Sequence, residues 1–193
     1  MSAEGPAAAD CSAGGLKPRH VLIMATDRFE ESELFAPRDA LLAAGMRVSI
    51  AALTMAPILG TVIDEPGRSI APDLTIAEAR EDDFDALLLP GGVVNPDRLR
   101  LEPAAVALVR AFDSAAKPVA AICHAPWLLI EAGVVRGRAA TGWPSIRTDL
   151  ANAGARVRDE AVVVDGNLVT ARGPRDVAAF GAALIGLLAR AAT

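Results

Sequence analysis

The chain has 193 residues, of which 52% are hydrophobic and 22% charged, and its formal net charge is −5. This length suits one domain that can bury a core without disulfides or a metal. The 19 cationic residues are scattered and outnumbered by 24 acidic ones, which argues against a nucleic-acid partner. No apolar run reaches the ~18 residues that a membrane span requires. Two cysteines exclude a disulfide scaffold, and two histidines leave too few soft ligands for a zinc cluster.

The first 19 residues are small, polar or rich in glycine and proline, and they show neither helical nor strand periodicity. We therefore predict a disordered tail over 1–19 and a single domain over 20–193. Glu4 and Asp10 interrupt the tail, and it lacks the apolar stretch of a secretory signal. A cytoplasmic location is expected, since an unpaired thiol fits a reducing compartment. Cys11, within the tail, has no neighbour that would lower the pKa of its thiol.

Short apolar runs alternate with segments of helical periodicity along the rest of the chain. The first half is predicted to contain, in chain order, a strand at 20–25, a helix at 31–44, a strand at 46–53, a loop with short edge strands at 56–74, a helical turn at 76–79 and a strand at 84–89. The second half is predicted to contain a helix at 103–116, a strand at 118–123, helices at 126–132 and 144–152, a hairpin of strands at 161–165 and 168–170, and a helix at 174–190. This alternation predicts an α/β fold with a mainly parallel sheet covered by helices on both faces.

Ligands of such sheets bind beyond the carboxyl ends of the strands, so three predicted strand ends define the candidate site. After the first strand, Glu33 lies on the helix stripe close to that edge, whereas Glu30 and Glu31 complement the helix dipole without any further role. The third strand ends at Pro90, and Gly91 and Gly92 follow with amides that no side chain covers. Such amides can hold an oxyanion, although a plain strand-ending turn has the same composition. Neither a GxGxxG motif nor a P-loop is present here, so the sequence does not support nucleotide phosphate binding.

The remaining strand end reads AAICHAPW, in which an apolar strand runs into Cys123 and His124 and Pro126 begins a helix. Small residues, Ala121 and Ala125, flank the cysteine two positions away, as in a strand–nucleophile–helix elbow. A helix N-terminus lowers the pKa of a thiol, so a reactive thiolate is one interpretation. A buried structural cysteine fits the same residues.

Four segments together resemble the ThiJ/PfpI family: LLLPGG, NPDRLR, KPVAAICHAPWLLIEAGV and DEAVVVDGNLVTARGPRD. The resemblance extends over about residues 20–190, with the motifs in the family's order. It implies a flavodoxin-like three-layer α/β sandwich of the class I glutamine amidotransferase-like type, with a mainly parallel central sheet and helices on both faces. It implies no cofactor and no metal.

The resemblance also implies roles for individual residues. Cys123 matches the family's nucleophile and His124 the adjacent histidine. Glu33 matches a protonated glutamate that hydrogen-bonds the thiolate. Oxyanion amides are implied at Gly92, with Gly91 beside it, and at the residues after the cysteine, where Ala125 replaces the usual glycine.

Two further positions follow from the same resemblance. Asp97, in the NPDRLR segment, matches an acid that a neighbouring subunit supplies to the histidine, which implies a homodimer or a hexamer. Trp143 matches an aromatic residue on the wall of the site, where tyrosine is usual.

The expected activity is that of a cysteine-dependent hydrolase of the PfpI type, which acts as a peptidase or removes methylglyoxal adducts from amines and thiols. Its substrate would be a small carbonyl compound or a glycated or peptide substrate. One alternative is a glyoxalase III-type lyase that converts methylglyoxal to lactate without a cofactor. Others are a redox sensor whose thiol oxidises to a sulfinic acid, and an interaction protein with a structural cysteine.

Overall fold

The computed structural model describes residues 18–190, so the predicted tail, except for its last two residues, and Cys11 lie outside the described part. The strands are β1 His20–Met24, β2 Arg47–Ala52, β3 Ile58–Val62, β4 Glu65–Ile70, β5 Leu74–Thr75, β6 Ala86–Leu89, β7 Val119–Ile122, β8 Ala139–Ala140, β9 Arg156–Val157, β10 Val162–Asp165 and β11 Leu168–Ala171. The α-helices are α1 Glu31–Ala43, α2 Val94–Leu99, α3 Pro103–Ser114, α4 Pro126–Ala132, α5 Arg147–Asn152 and α6 Val177–Arg190. None of these helices is long and apolar enough to cross a membrane.

Seven strands form the central sheet in the order β10-β11-β7-β6-β1-β2-β5. All neighbours in this sheet pair in parallel except β10 and β11, which form an antiparallel hairpin at one edge. The predicted α/β sandwich with a mainly parallel sheet is confirmed. The hairpin of β3 and β4 makes a separate two-stranded sheet, so these strands do not extend the central one.

A core lies on each face of the central sheet because successive side chains of a strand point to opposite faces. In β1, Leu22 and Met24 join the core that packs against α3 and α4, whereas Val21 and Ile23 join the core against α1 and α6. Burial on both faces explains why this strand is a continuous apolar run rather than an alternating one. The helices therefore form the two outer layers of the sandwich.

The segment after β6, for which the sequence predicts no helix, contains helix α2. Asn95 on this helix is fully buried, and its side-chain oxygen accepts the N–H of Thr26 at 2.7 Å. Its amide nitrogen donates to the carbonyl oxygens of Pro90, at 2.8 Å, and Gly91, at 3.2 Å. Asn95 thus fixes the glycine turn against the end of β1, which positions the candidate site. A helix of six residues is too short for its periodicity to reveal it in the sequence.

Candidate active site

The elbow after β7 is built on a left-handed residue. Cys123 has φ +64°, a conformation that is strained for a residue with a side chain. Its N–H donates to the carbonyl oxygen of Ala171 at 3.0 Å, and its own carbonyl oxygen accepts the N–H of Trp143 at 2.8 Å. Ala125, in contrast, has φ −56°, so alanine in place of glycine introduces no backbone strain there. The positive φ presents the sulfur at the start of α4, where only 5% of Cys123 is exposed.

Glu33 lies fully buried on the first turn of α1, beside this sulfur. Its Oε2 accepts the N–H of Gly91 at 2.9 Å, while Oε1 has no hydrogen-bond partner among the described residues. Burial raises the pKa of the carboxyl from 4.5 to about 8, although the amide of Gly91 acts in the other direction. This raised pKa favours the protonated, neutral carboxyl at neutral pH.

The thiol and the imidazole face each other directly: Cys123 Sγ lies 3.2 Å from His124 Nδ1. Burial raises the pKa of the Cys123 thiol, and the negative charge of an ionised Glu33 would raise it further, whereas the amides of Gly92 and His124 oppose both. The direction is opposite to the lowered pKa expected from the helix N-terminus, because the loss of water at the buried elbow disfavours the thiolate. Burial also lowers the pKa of His124, so its neutral ring can accept a proton from the thiol.

Fewer backbone amides are available beside the sulfur than the resemblance implied. The amides of Gly92 and His124 hydrogen-bond Sγ. The Gly91 N–H is engaged by Glu33, and the Ala125 N–H donates to a carbonyl oxygen of the preceding turn at 3.0 Å, so neither is available to an oxyanion. The amides that remain beside the sulfur are those of Gly92 and His124.

Both glycines of the turn are nevertheless required by space. A Cβ at Gly91 would lie 2.5 Å from Glu33 Oε2 and 2.6 Å from the Cβ of Cys123. Gly92 has φ +78°, and a Cβ there would lie 2.5 Å from the carbonyl oxygen of Arg28. Gly91 thus contributes by allowing the carboxyl and the thiol to approach, rather than as an oxyanion donor.

The other ring nitrogen of His124 has a partner that the sequence analysis missed. Nε2 lies 3.2 Å from Ser145 Oγ, in the 3₁₀ turn Pro144–Ile146. The imidazole also packs between two indoles, with centroid distances of 5.2 Å to Trp127 and 5.9 Å to Trp143. Asp97 is exposed on α2 and makes no contact with His124 within the described chain.

Trp143, 40% exposed, forms part of the wall of a cleft of about 800 Å³, which neither Cys123 nor His124 lines. This position agrees with the aromatic wall that the resemblance implied. The indole packs over Gly173, where a Cβ would lie 2.8 Å from the ring. The cleft mixes apolar side chains with charged ones, and its lining includes Val62, Ile63, Pro144, Arg147, Asp159, Arg172 and Arg175. Among the described residues no three His, Cys, Asp or Glu side chains group as metal ligands would.

A buried cysteine on a strand-to-helix elbow, with a histidine on its sulfur and a neutral carboxyl behind it, defines a candidate nucleophilic site in an α/β sandwich. The model of the DJ-1/PfpI family matches residues 19–187, so the chain belongs to this family.

Among curated relatives, the deglycase PfpI of Pyrococcus furiosus is 42% identical over 168 residues, which cover 87% of this chain and 98% of that protein. The crystal structure of Drosophila melanogaster DJ-1beta superposes with a TM-score of 0.81 at 31% identity and covers 89% of this chain and 90% of that one. A two-domain protein of Anabaena variabilis, with a DJ-1/ThiJ/PfpI-like and a ferritin-like domain, gives a TM-score of 0.85 at 38% identity. The match covers 89% of this chain and only 48% of that protein.

Proposed function

We propose that the protein is a PfpI-type enzyme, a cysteine-dependent hydrolase that removes methylglyoxal adducts from amines and thiols. The observation that carries the proposal is the 3.2 Å approach of Cys123 Sγ to Nδ1 of a neutral His124. The deglycase names of its relatives support this activity. A thiol that is only 5% exposed favours small carbonyl adducts over long peptides. The glyoxalase and redox-sensor alternatives have no such support.

We assign each group a step in the reaction. Attack of Sγ on the adduct carbon transfers the thiol proton to His124 Nδ1, since both groups are neutral before substrate arrives. The amides of Gly92 and His124 stabilise negative charge that develops on the substrate oxygen. The imidazolium then protonates the leaving amine, which leaves a hemithioacetal on the sulfur. Water displaces the thiol from this hemithioacetal and releases hydrated methylglyoxal. Glu33, neutral and 0% exposed, leaves Sγ without a repelling carboxylate.

Assays with a methylglyoxal-modified amine, free methylglyoxal and a fluorogenic peptide would test the proposal. We expect amine release from the adduct by the wild type and none by Cys123→Ser, whose hydroxyl is far less nucleophilic without a strong base. Cys11→Ser is the matched control and should keep full activity. If free methylglyoxal is the only substrate turned over, the glyoxalase-type lyase is favoured. Activity retained by Cys123→Ser would refute the assignment of Cys123 as the nucleophile.

We also propose that the enzyme is a cytoplasmic homo-oligomer, a dimer or a hexamer, in which Asp97 of one subunit acts on His124 of its neighbour. The exposure of Asp97 on α2 leaves its carboxylate available to another subunit. Mixing Cys123→Ser with Asp97→Ala chains under subunit exchange should then restore about one good site in each mixed dimer. Exchange without recovery, or a monomer in sedimentation, would exclude this contribution.

A further inference from the structure

The imidazole of His124 has a hydrogen-bond partner on each nitrogen within a single chain. Nδ1 faces Cys123 Sγ at 3.2 Å, and Nε2 faces Ser145 Oγ at 3.2 Å. The turn that carries Ser145 is tied to the elbow itself, because the Trp143 N–H donates to the carbonyl oxygen of Cys123 at 2.8 Å. Next along the chain, Ile146 is fully buried and anchors the same turn in the core. The hydroxyl is thus held in a fixed place relative to the sulfur.

A hydroxyl can donate or accept a hydrogen bond, so Ser145 alone does not fix the direction of its bond to His124 Nε2. The protonation of Glu33 and Cys123 determines that direction. The buried, neutral carboxyl of Glu33 interacts with the Cys123 thiol, and its Oε2 accepts the N–H of Gly91. A neutral carboxyl can donate its proton to Sγ, so the thiol directs its own hydrogen to Nδ1 of His124. The reverse order would place two hydrogens between the carboxyl and Sγ. Nδ1 is therefore an acceptor, and the ring hydrogen lies on Nε2.

We propose that Ser145 is a positioning residue for the reaction of Cys123. Its Oγ accepts the Nε2–H of His124 and holds the neutral ring in the tautomer whose bare Nδ1 can take the thiol proton. The same bond stabilises the imidazolium after that transfer, since the hydroxyl accepts from a charged donor. This proposal rests on the proposed function of the thiol, but it assigns the orientation of His124 to its own chain, in addition to any acid from a neighbouring subunit.

The surroundings of His124 leave few other charges to control its protonation. The flanking rings of Trp127 and Trp143 are uncharged, and the Trp127 Nε1–H is held by Asp149 at 2.8 Å. On helix α5, which also carries Asp149, the guanidinium of Arg147 forms an ion pair with Asp159 at 2.8 and 2.7 Å. The groups that titrate against the ring are thus the thiol of Cys123 and the carboxyl of Glu33 behind it.

The test compares Ser145→Ala with Ser145→Thr, which keeps the hydroxyl, and with Thr148→Ala, which removes an exposed hydroxyl three residues away. All variants carry Cys11→Ser, so that iodoacetamide reports on one thiol. We expect Ser145→Ala to slow alkylation of Cys123 at neutral pH by about five- to tenfold, the effect of one lost hydrogen bond. Ser145→Thr should keep most of the wild-type rate, and Thr148→Ala all of it. Alkylation of Ser145→Ala at the wild-type rate across the pH range would overturn the proposal.

Nitrogen-15 NMR of the imidazoles reads the tautomer directly, and the chain has only two histidines to assign. A His20→Gln variant identifies the His124 signals. We expect the Nε2–H tautomer in the wild type and a mixture of tautomers in Ser145→Ala. An Nδ1–H wild type, or a tautomer that changes in Asp97→Ala and not in Ser145→Ala, would refute the proposal. Neither readout needs a substrate, so the absence of turnover would count against the proposed function alone.

Discussion

Replacing Glu33 with glutamine is expected to stabilise the folded chain at neutral pH, although Glu33 belongs to the proposed active site. Burial raises the pKa of this carboxyl from 4.5 to about 8. Between these pH values the folded chain keeps a proton that the unfolded chain has lost, so the free energy of unfolding falls as the pH rises. Below 4.5 both states are protonated and this loss is absent.

The size of the effect follows from the two pKa values. The full difference between 4.5 and about 8 corresponds to roughly 5 kcal/mol, of which roughly 3 kcal/mol is lost by pH 7. Glutamine is neutral at every pH and removes this loss. Its carbonyl oxygen can accept the Gly91 N–H, and its NH₂ group can replace the carboxyl proton that points to the thiol. Glu33→Gln should therefore gain up to roughly 3 kcal/mol at pH 7.

Urea unfolding between about pH 5 and pH 8, followed by tryptophan fluorescence, measures the effect. Both histidines are present in both proteins, so their contributions cancel in the difference between wild type and Glu33→Gln. Glu31→Gln on the same helix is the matched control. The amide and guanidinium of Arg68 lower the pKa of Glu31, so its loss should destabilise the fold without changing the slope over this range. Equal pH slopes for wild type and Glu33→Gln would show that the buried carboxyl is ionised and refute the reasoning.

Three further predictions concern the site. Gly91→Ala should abolish turnover and destabilise the fold, because its Cβ would lie 2.5 Å from Glu33 Oε2; wild-type thermal unfolding and activity would contradict the geometry. Burial lowers the pKa of His124 from 6.5, so activity that needs the neutral ring should persist at neutral pH and decline only below 6.5. A decline centred above 6.5 in the rate profile would count against His124 as the base. Trp143→Ala should raise KM several-fold for adducts and leave kcat nearly unchanged, and a change confined to kcat would remove Trp143 from the substrate cleft.

Much of the fold is encoded locally and could be predicted from the sequence. Strands buried on both faces are continuous apolar runs, and the glycine and proline positions mark where they end. Cys123 stands out because small residues flank it between an apolar strand and a helix-starting proline. Gly91 and Gly92 stand out as the end of the neighbouring strand. Because these signals are local, the sequence alone predicts that the strand ends lie at one edge of the sheet.

Only the tertiary structure decided how these residues are protonated and held. The sequence gives no measure of desolvation, and desolvation is what makes Glu33 neutral and raises, rather than lowers, the pKa of the Cys123 thiol. The roles of Asn95 and Ser145 could not be predicted from the sequence for a related reason, because each side chain hydrogen-bonds a segment distant in the chain. The roles of the Gly91 and Gly92 amides could not be distinguished until the structure showed that the Glu33 carboxyl accepts the N–H of Gly91. Burial and long-range hydrogen bonds depend on every segment packed around the site, and no local pattern in the sequence records them.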